Sequence, residues 1–292
     1  MMNLLTFDIE EWYIESCRQG RVEKYAEFDR YLDDILTKLD ERKTKATFFC
    51  VGEMGRQFPD VIRKIQKCGH EIGCHSHIHT WLNKMTEAEC CEDTHCAVDS
   101  LEQCIGEKVK SYRAPAFSIG ESNKWAFEIL AENGIERDAS IFPAARDFGG
   151  FRNFGQKEPC LVEYNGIRLK EFPVCTTKIM GKEMAYSGGG YFRFFPLSFV
   201  KKEMAKSKYA MCYFHIGDLV PESAKVKTKE EYEAYYKEKG TLKARYSRYL
   251  KANLGKKNAF EKMMHLIDEM DFVNLQRADS VIDWNSSTIV KL

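Results

Sequence analysis

The chain has 292 residues, 44% of them hydrophobic and 13% aromatic, enough for a sizeable core and unlike a disordered composition. Lysine plus arginine and aspartate plus glutamate number 44 each, a formal net charge of zero, which excludes bulk attraction to nucleic acid or an anionic membrane and leaves only local patches. No stretch approaches the roughly 18 apolar residues of a spanning helix, and an acid arrives at Asp8 without the basic-then-apolar pattern of a signal peptide.

The expected location is therefore cytoplasmic, with a peripheral place at the inner membrane face as a second option. Eleven cysteines, an odd count with no Cys-x-x-Cys pair, point to reduced thiols rather than a disulfide framework.

Leu4 to Glu10 is an apolar run ending in acids and reads as the first core strand. Alternation along a strand puts Asp8 and Glu10 on the same side. Two such carboxylates are costly together unless a cation or a proton separates them. Residues 23–42 carry apolar positions at helical spacing. Lys45 to Gly52 is a second buried strand. Phe58 to Cys68, with Pro59 near its start and Gly69 after its end, is a short helix.

His70 to Gly73 is the third strand, and His75, His77 and His79 follow it. A helical segment or tight turn there puts His75 and His79 on one side. Two neutral imidazoles with a third ligand and an open position make a catalytic metal site; the competing reading is a surface or packing pair. His70, inside the strand, reads as structural, and His77 as pointing away from the shared site.

Thr86 to Ile105 is a helix opened by Thr86 with Glu89 three residues on, a capping box. Lys108 to Arg113 is a strand, and Trp125 to Asn133 a helix stopped by Gly134. Residues 143–165 read as a long loop or hairpin, and Ile167 to Pro173 as a strand. Ser187 to Arg193 reads as a glycine-rich turn without phosphate-loop spacing. Phe199 to Ser207 is helical, Tyr209 to His215 an apolar strand, and the charged stretch from 222 onward helical. Within it, 225–257 is rich in lysine and tyrosine, either a solvated face or a surface for an anionic glycan or polyprenyl-linked phosphate near a membrane.

Repeated strand–helix units imply an α/β fold with a parallel sheet or barrel. Chemistry collects at the C-terminal ends of such strands, where Asp8, Glu10, His75, His79, Arg113 and His215 all fall.

With these residues laid out, the chain resembles the polysaccharide deacetylase superfamily, carbohydrate esterase family 4. The matching pieces are Thr6-Phe-Asp-Ile-Glu10, Ala46-Thr-Phe-Phe49, Gly69-His-Glu-Ile-Gly73, His75-x-x-x-His79, Tyr112-Arg-Ala-Pro115 and His215. Gly188 to Arg193 and the charged C-terminal region resemble the branch found in exopolysaccharide biosynthesis. The resemblance implies a distorted (β/α)7-type barrel over residues 1–220, with a charged helical extension over 221–292. It implies a divalent metal, zinc first and cobalt or nickel next, held by His75, His79 and Glu10. The commonest family pattern has adjacent aspartates, so Glu11 is the second candidate for the carboxylate ligand. Asp8 matches the base, Arg113 the arginine that orients it, and His215 the general acid; Asp138 matches loosely the aspartate supporting that histidine.

Hydrolysing an N-acetyl group needs an activated water, a polarised carbonyl and a proton for the leaving amine. A divalent cation supplies the first two, Asp8 would take the water's proton, and the N–H of Ala116 would face the oxyanion. Trp12, Tyr13, Phe117, Tyr191 and Phe192 are candidate faces for a sugar ring. The expected activity is removal of N-acetyl, and secondarily O-acetyl, groups from an acetylated glycan or lipid-linked sugar. The alternatives are a metal-free amidase and a silent carbohydrate-binding protein. No nucleic-acid partner is expected, and the oligomeric state is open.

Overall fold

The computed structural model describes every residue except 19, 147–148, 222–224 and 237. Its strands are β1 (Met2–Ile9), β2 (Thr47–Cys50), β3 (Glu71–Cys74), β4 (Ser111–Tyr112), β5 (Arg137–Asp138), β6 (Cys160–Tyr164), β7 (Ile167–Glu171), β8 (Thr176–Ile179), β9 (Lys182–Ala185), β10 (Tyr209–His215) and β11 (Ile289–Lys291). The main sheet runs β10-β1-β2-β3-β4-β5-β7-β6-β11. Its first seven strands are all parallel, and β6 pairs antiparallel with β7. That order is the wall of the expected α/β barrel, and β8 with β9 forms a separate hairpin.

Beside β10, at the edge of the sheet, side-chain bonds add to one isolated parallel bridge between Gly188 and Tyr213. Met211 donates its N–H to Cys175 Sγ at 2.8 Å, Tyr209 Oη donates to the Pro173 carbonyl at 2.9 Å, and Ser187 Oγ donates to the Met211 carbonyl at 2.6 Å. All eleven cysteines are free.

The helices are α1 (Glu11–Ser16), α2 (Val22–Glu41), α3 (Met54–Gln57), α4 (Pro59–Lys67), α5 (Glu87–Ile105), α6 (Ala126–Glu132), α7 (Gly189–Phe194), α8 (Leu197–Ala205), α9 (Ile216–Leu219), α10 (Lys229–Tyr236), α11 (Leu242–Asn253), α12 (Ala259–Glu269) and α13 (Leu275–Val281). Helix α2 buries Phe28, Tyr31, Leu32, Ile35, Leu36 and Leu39, the face its periodicity marks. Thr86 and Glu89 cap α5 reciprocally as expected: Thr86 Oγ1 accepts from the Glu89 N–H and Glu89 Oε2 from the Thr86 N–H.

Three expectations need correction, and one open choice is decided. Of the helix and the tight turn expected after β3, the structure has the turn, with left-handed backbone at Ser76 (φ 64°) and His79 (φ 59°). The glycine-rich turn opens directly into α7, whose Phe192 is fully buried. The β8–β9 hairpin went unread because its strands are short and half exposed. The C-terminal extension is not wholly helical, since β11 adds a three-residue strand beside β6.

Register sets the level of the site. Ile9 pairs with Cys50, Cys50 with Cys74, and Cys74 with Tyr112. Glu10, His75 and Arg113 each follow one of these residues, so three distant segments emerge at one rim. Asp8 pairs with His215 across β1 and β10.

Candidate metal centre and active site

Three ligand atoms converge first. Single donor atoms of Glu10, His75 and His79 all lie within 4.8 Å of one another. Glu10 Oε2 is 2.5 Å from His79 Nε2 and 3.6 Å from His75 Nε2. His75 Nδ1 lies 2.7 Å from the Arg113 carbonyl; as donor to that oxygen it leaves Nε2 as the lone-pair nitrogen, the arrangement of a metal-ligating imidazole. His75 Nε2 is buried without a hydrogen-bond partner, and Glu10 Oε2 meets only the two imidazole nitrogens. Buried polar atoms are rarely left so, and a divalent cation at this point would satisfy both. The residues therefore fit the ion that the sequence implies.

Burial pushes the Glu10 carboxyl up. The charges of His79 and His215 and hydrogen bonds from His75 and His79 outweigh that and hold it well below the usual range. Glu11 faces elsewhere: its Oε1 accepts from the Gly217 N–H, and its Oε2 from the Glu10 N–H at 3.4 Å. Burial, helped by the Glu10 charge, raises the Glu11 carboxyl to about 7. Glu10, not Glu11, sits in the cluster.

Asp8 stands beside this cluster, fully buried. Its Oδ1 accepts from Arg113 Nη1 at 2.7 Å, and its Oδ2 is 3.5 Å from His215 Nε2. Arg113 is locked on every side: Nη1 also donates to Thr6 Oγ1, Nε to the Ala139 carbonyl, and Nη2 to Met211 Sδ. Its guanidinium lies over the Phe49 ring, 4.3 Å from the centroid. That ring occupies the space above Gly73, where a Cβ would meet it at 2.6 Å. Glycine at 73 is thus what lets the arginine's platform exist.

His215 Nδ1 is 3.0 Å from Asp218 Oδ2, and Asp218 Oδ1 is 3.3 Å from Arg193 Nη2. Burial works against a charged imidazole, but Glu10, Asp218 and Asp8 together raise His215 well above its ordinary value. Asp218 itself is pushed up by burial and pulled lower overall by His215 and Arg193.

Asp138 does not support His215. It accepts from Ser140 Oγ at 2.5 Å and pairs with Glu171 across β5 and β7. Burial raises it to about 6, and burial and Asp138 raise Glu171 well above the carboxylate range, so these two buried acids share protons with each other. Asp218 was missed because its signal is positional, three residues beyond the strand-end histidine on a helix too short to announce itself.

Ala116, three residues after Arg113 in the chain, has a positive φ of 56°, and its carbonyl accepts from Arg146 Nη1. Of the candidate aromatic faces, Trp12, Phe117 and Phe192 are buried in edge contacts with Phe28, Tyr213 and Phe214. They cannot offer a face to a sugar. Tyr13 and Tyr191 are half-buried. Tyr235 of α10 was not anticipated; it is partly exposed, and burial and the nearby Glu10 charge push its phenol up. His77 contacts Glu53, and His70 Nδ1 accepts from the Ala46 N–H in the core. Both lie outside the cluster, as read.

Residues 3–137 match the polysaccharide deacetylase family model, and residues 139–279 match a domain of unknown function (DUF3473). A peptidoglycan-N-acetylglucosamine deacetylase of Bacillus cereus is 37% identical over 95 residues, 32% of this chain and 34% of its own length. The uncharacterised protein YlxY of Bacillus subtilis is 36% identical over 104 residues, 36% of this chain and 32% of its own. The chain thus spans about a third of the length of these relatives. A crystal structure from Mycobacterium smegmatis, provisionally named a polysaccharide deacetylase, superposes with a TM-score of 0.61 at 18% identity, over 100% of this chain and 93% of the other. That likeness shows the shared fold. Over residues 3–137, a little under half of its length, this chain is similar to the polysaccharide deacetylase family.

Proposed function

We propose that this chain is a metal-dependent hydrolase that removes N-acetyl groups from a glycan or glycan precursor, cleaving a linear amide C–N bond. The observation that carries the reading is the meeting of Asp8, Arg113 and His215 beside an unsatisfied Glu10–His75–His79 cluster at one rim of the barrel. A divalent ion there, zinc first and cobalt or nickel next, would supply Lewis-acid activation of water and carbonyl. Asp8, fixed by its charge-assisted bond to Arg113, takes the water's proton. His215, whose pKa Glu10, Asp218 and Asp8 raise, returns a proton to the departing amine nitrogen. The Ala116 N–H faces the developing oxyanion, and Tyr191 with Tyr235 frames the sugar.

The substrate is a surface-polysaccharide intermediate, and the exopolysaccharide-type resemblance of residues 188–193 supports a soluble or lipid-linked one in the cytoplasm. No helix among the described residues is long and apolar enough to cross a membrane. Residues 1–220 form the catalytic barrel, and 221–292 pack on it.

Elemental analysis of wild type and of His75→Ala/His79→Ala tests the metal. About one zinc, cobalt or nickel per chain, lost in the double variant, is expected. Acetate release from N-acetylated oligosaccharides and from peptidoglycan, abolished in Asp8→Asn, tests the reaction. A metal-loaded protein that releases no acetate from any acetylated glycan would point to the silent carbohydrate-binding reading. Release unaffected by loss of both histidines would point to the metal-free amidase.

A further inference from the structure

Helix α11 is the one long element in the C-terminal region that buries nothing. Leu242, Tyr246, Leu250 and Leu254 are 64%, 52%, 64% and 53% exposed. At four-residue spacing Leu242, Tyr246 and Leu250 form one apolar stripe along the helix, and Leu254 follows just past its end. An isolated helix of twelve residues is marginal in water, so a stripe left unpacked calls for an occupant. Its own segment is one-sided in charge: residues 239–257 contain Lys239, Lys243, Arg245, Arg248, Lys251, Lys256 and Lys257 and no acid; Arg248 turns inward to Glu238, while Lys243, Lys251 and Lys257 are exposed.

We propose that α11 seats this chain on an anionic lipid surface, lying in the interface with its leucine stripe among the acyl chains and its basic residues among the headgroups. Both features are used by that occupant alone. Nucleic acid would take the cations and leave the leucines in water. A second copy of this chain would have to bring one strongly basic segment against another across a two-fold contact.

The helix is tied to the chemistry. Arg193 Nη1 and Nη2 donate to the carbonyls of Ala252 and Lys251 in its last turn, and Nη2 also faces Asp218, the partner of His215. Docking α11 would therefore set the catalytic rim close to the lipid headgroups. If the deacetylase reading holds, the substrate is a glycan attached to or extruded at that surface. The docking itself does not depend on that reading.

Flotation of the purified chain tests it, with vesicles of phosphatidylcholine alone and with about one third phosphatidylglycerol. Binding to the anionic vesicles only, released by salt, is expected. Leu242→Ser/Leu250→Ser and Lys243→Gln/Lys251→Gln should each weaken it roughly tenfold or more, with circular dichroism and melting temperature unchanged because none of these side chains is buried. No binding to anionic vesicles at low salt overturns the proposal. So does binding that the leucine variant leaves intact, or a solution dimer that the leucine variant dissolves. Because no acetylated substrate is present, failure here is distinct from failure of the acetate-release assay.

Discussion

Asp218 and Asp138 look alike in the sequence, and only their surroundings separate them. Asp218 lies on His215 and opposite Arg193; Asp138 lies on Ser140 and Glu171. Asp218→Asn should lower kcat/KM for acetate release by roughly tenfold to a hundredfold. A general acid loses activity as pH rises through its pKa, and Asp218 is one of the charges raising that of His215. The alkaline limb should therefore move to lower pH in the variant, and an unmoved limb would mean that Asp218 plays no part. Asp138→Asn should leave the limb in place. His70 gives a second test, on stability. Burial, with Lys45 nearby, lowers it to about 4, against 6.5 for an unperturbed histidine. Between those values the unfolded chain binds more protons than the native one, so stability falls as pH falls. Nothing is lost at pH 7, and about 2 kcal/mol is lost by pH 5. His70→Asn keeps an acceptor for the Ala46 N–H, and urea titrations at both pH values should show the difference shrinking by that amount.

At the scale of elements, the strand ends were legible because a buried parallel strand needs a near-continuous apolar run and then stops. Asp8, Glu10, His75, Arg113 and His215 stand at those stops, and register brings them together. What stayed hidden depends on contacts distant in sequence. The spacing of His75 and His79 left a helix and a tight turn open, and two left-handed residues make the turn. Trp12, Phe117 and Phe192 looked available because local sequence carries no record of burial. The bonding beside β10 was equally unreadable, since nothing marks Cys175 as the acceptor for a backbone N–H on β10. Cys175→Ala leaves that buried Met211 N–H unpaired and should cost roughly 1–3 kcal/mol. Cys175→Ser, which retains an acceptor, should cost less. Denaturant midpoints of the two variants decide it: equal losses would mean that the thiol acts by volume alone.

Across the whole molecule, the candidate site joins residues 8 to 215 and so exists only when β1, β3, β4 and β10 are assembled. His75 keeps a buried, unpartnered atom in that assembly, a cost of order 1–3 kcal/mol in the absence of a cation. An ion that binds the folded chain and not the unfolded one stabilises it by RT ln(1 + [M]/Kd), about 2.7 kcal/mol at a hundredfold excess over Kd. For a domain near this size each kcal/mol is worth roughly 2–4 °C. Stripping with a chelator should therefore lower the melting temperature by several degrees, and zinc should restore it. His79→Ala should melt near the stripped wild type and gain little from zinc, because it removes a ligand while leaving the core untouched. His77→Ala should respond to zinc as wild type does, since His77 contacts Glu53 away from the cluster. Equal zinc responses in the His77 and His79 variants would place the ion elsewhere on the chain, and the reading of Glu10, His75 and His79 as its ligands would fall.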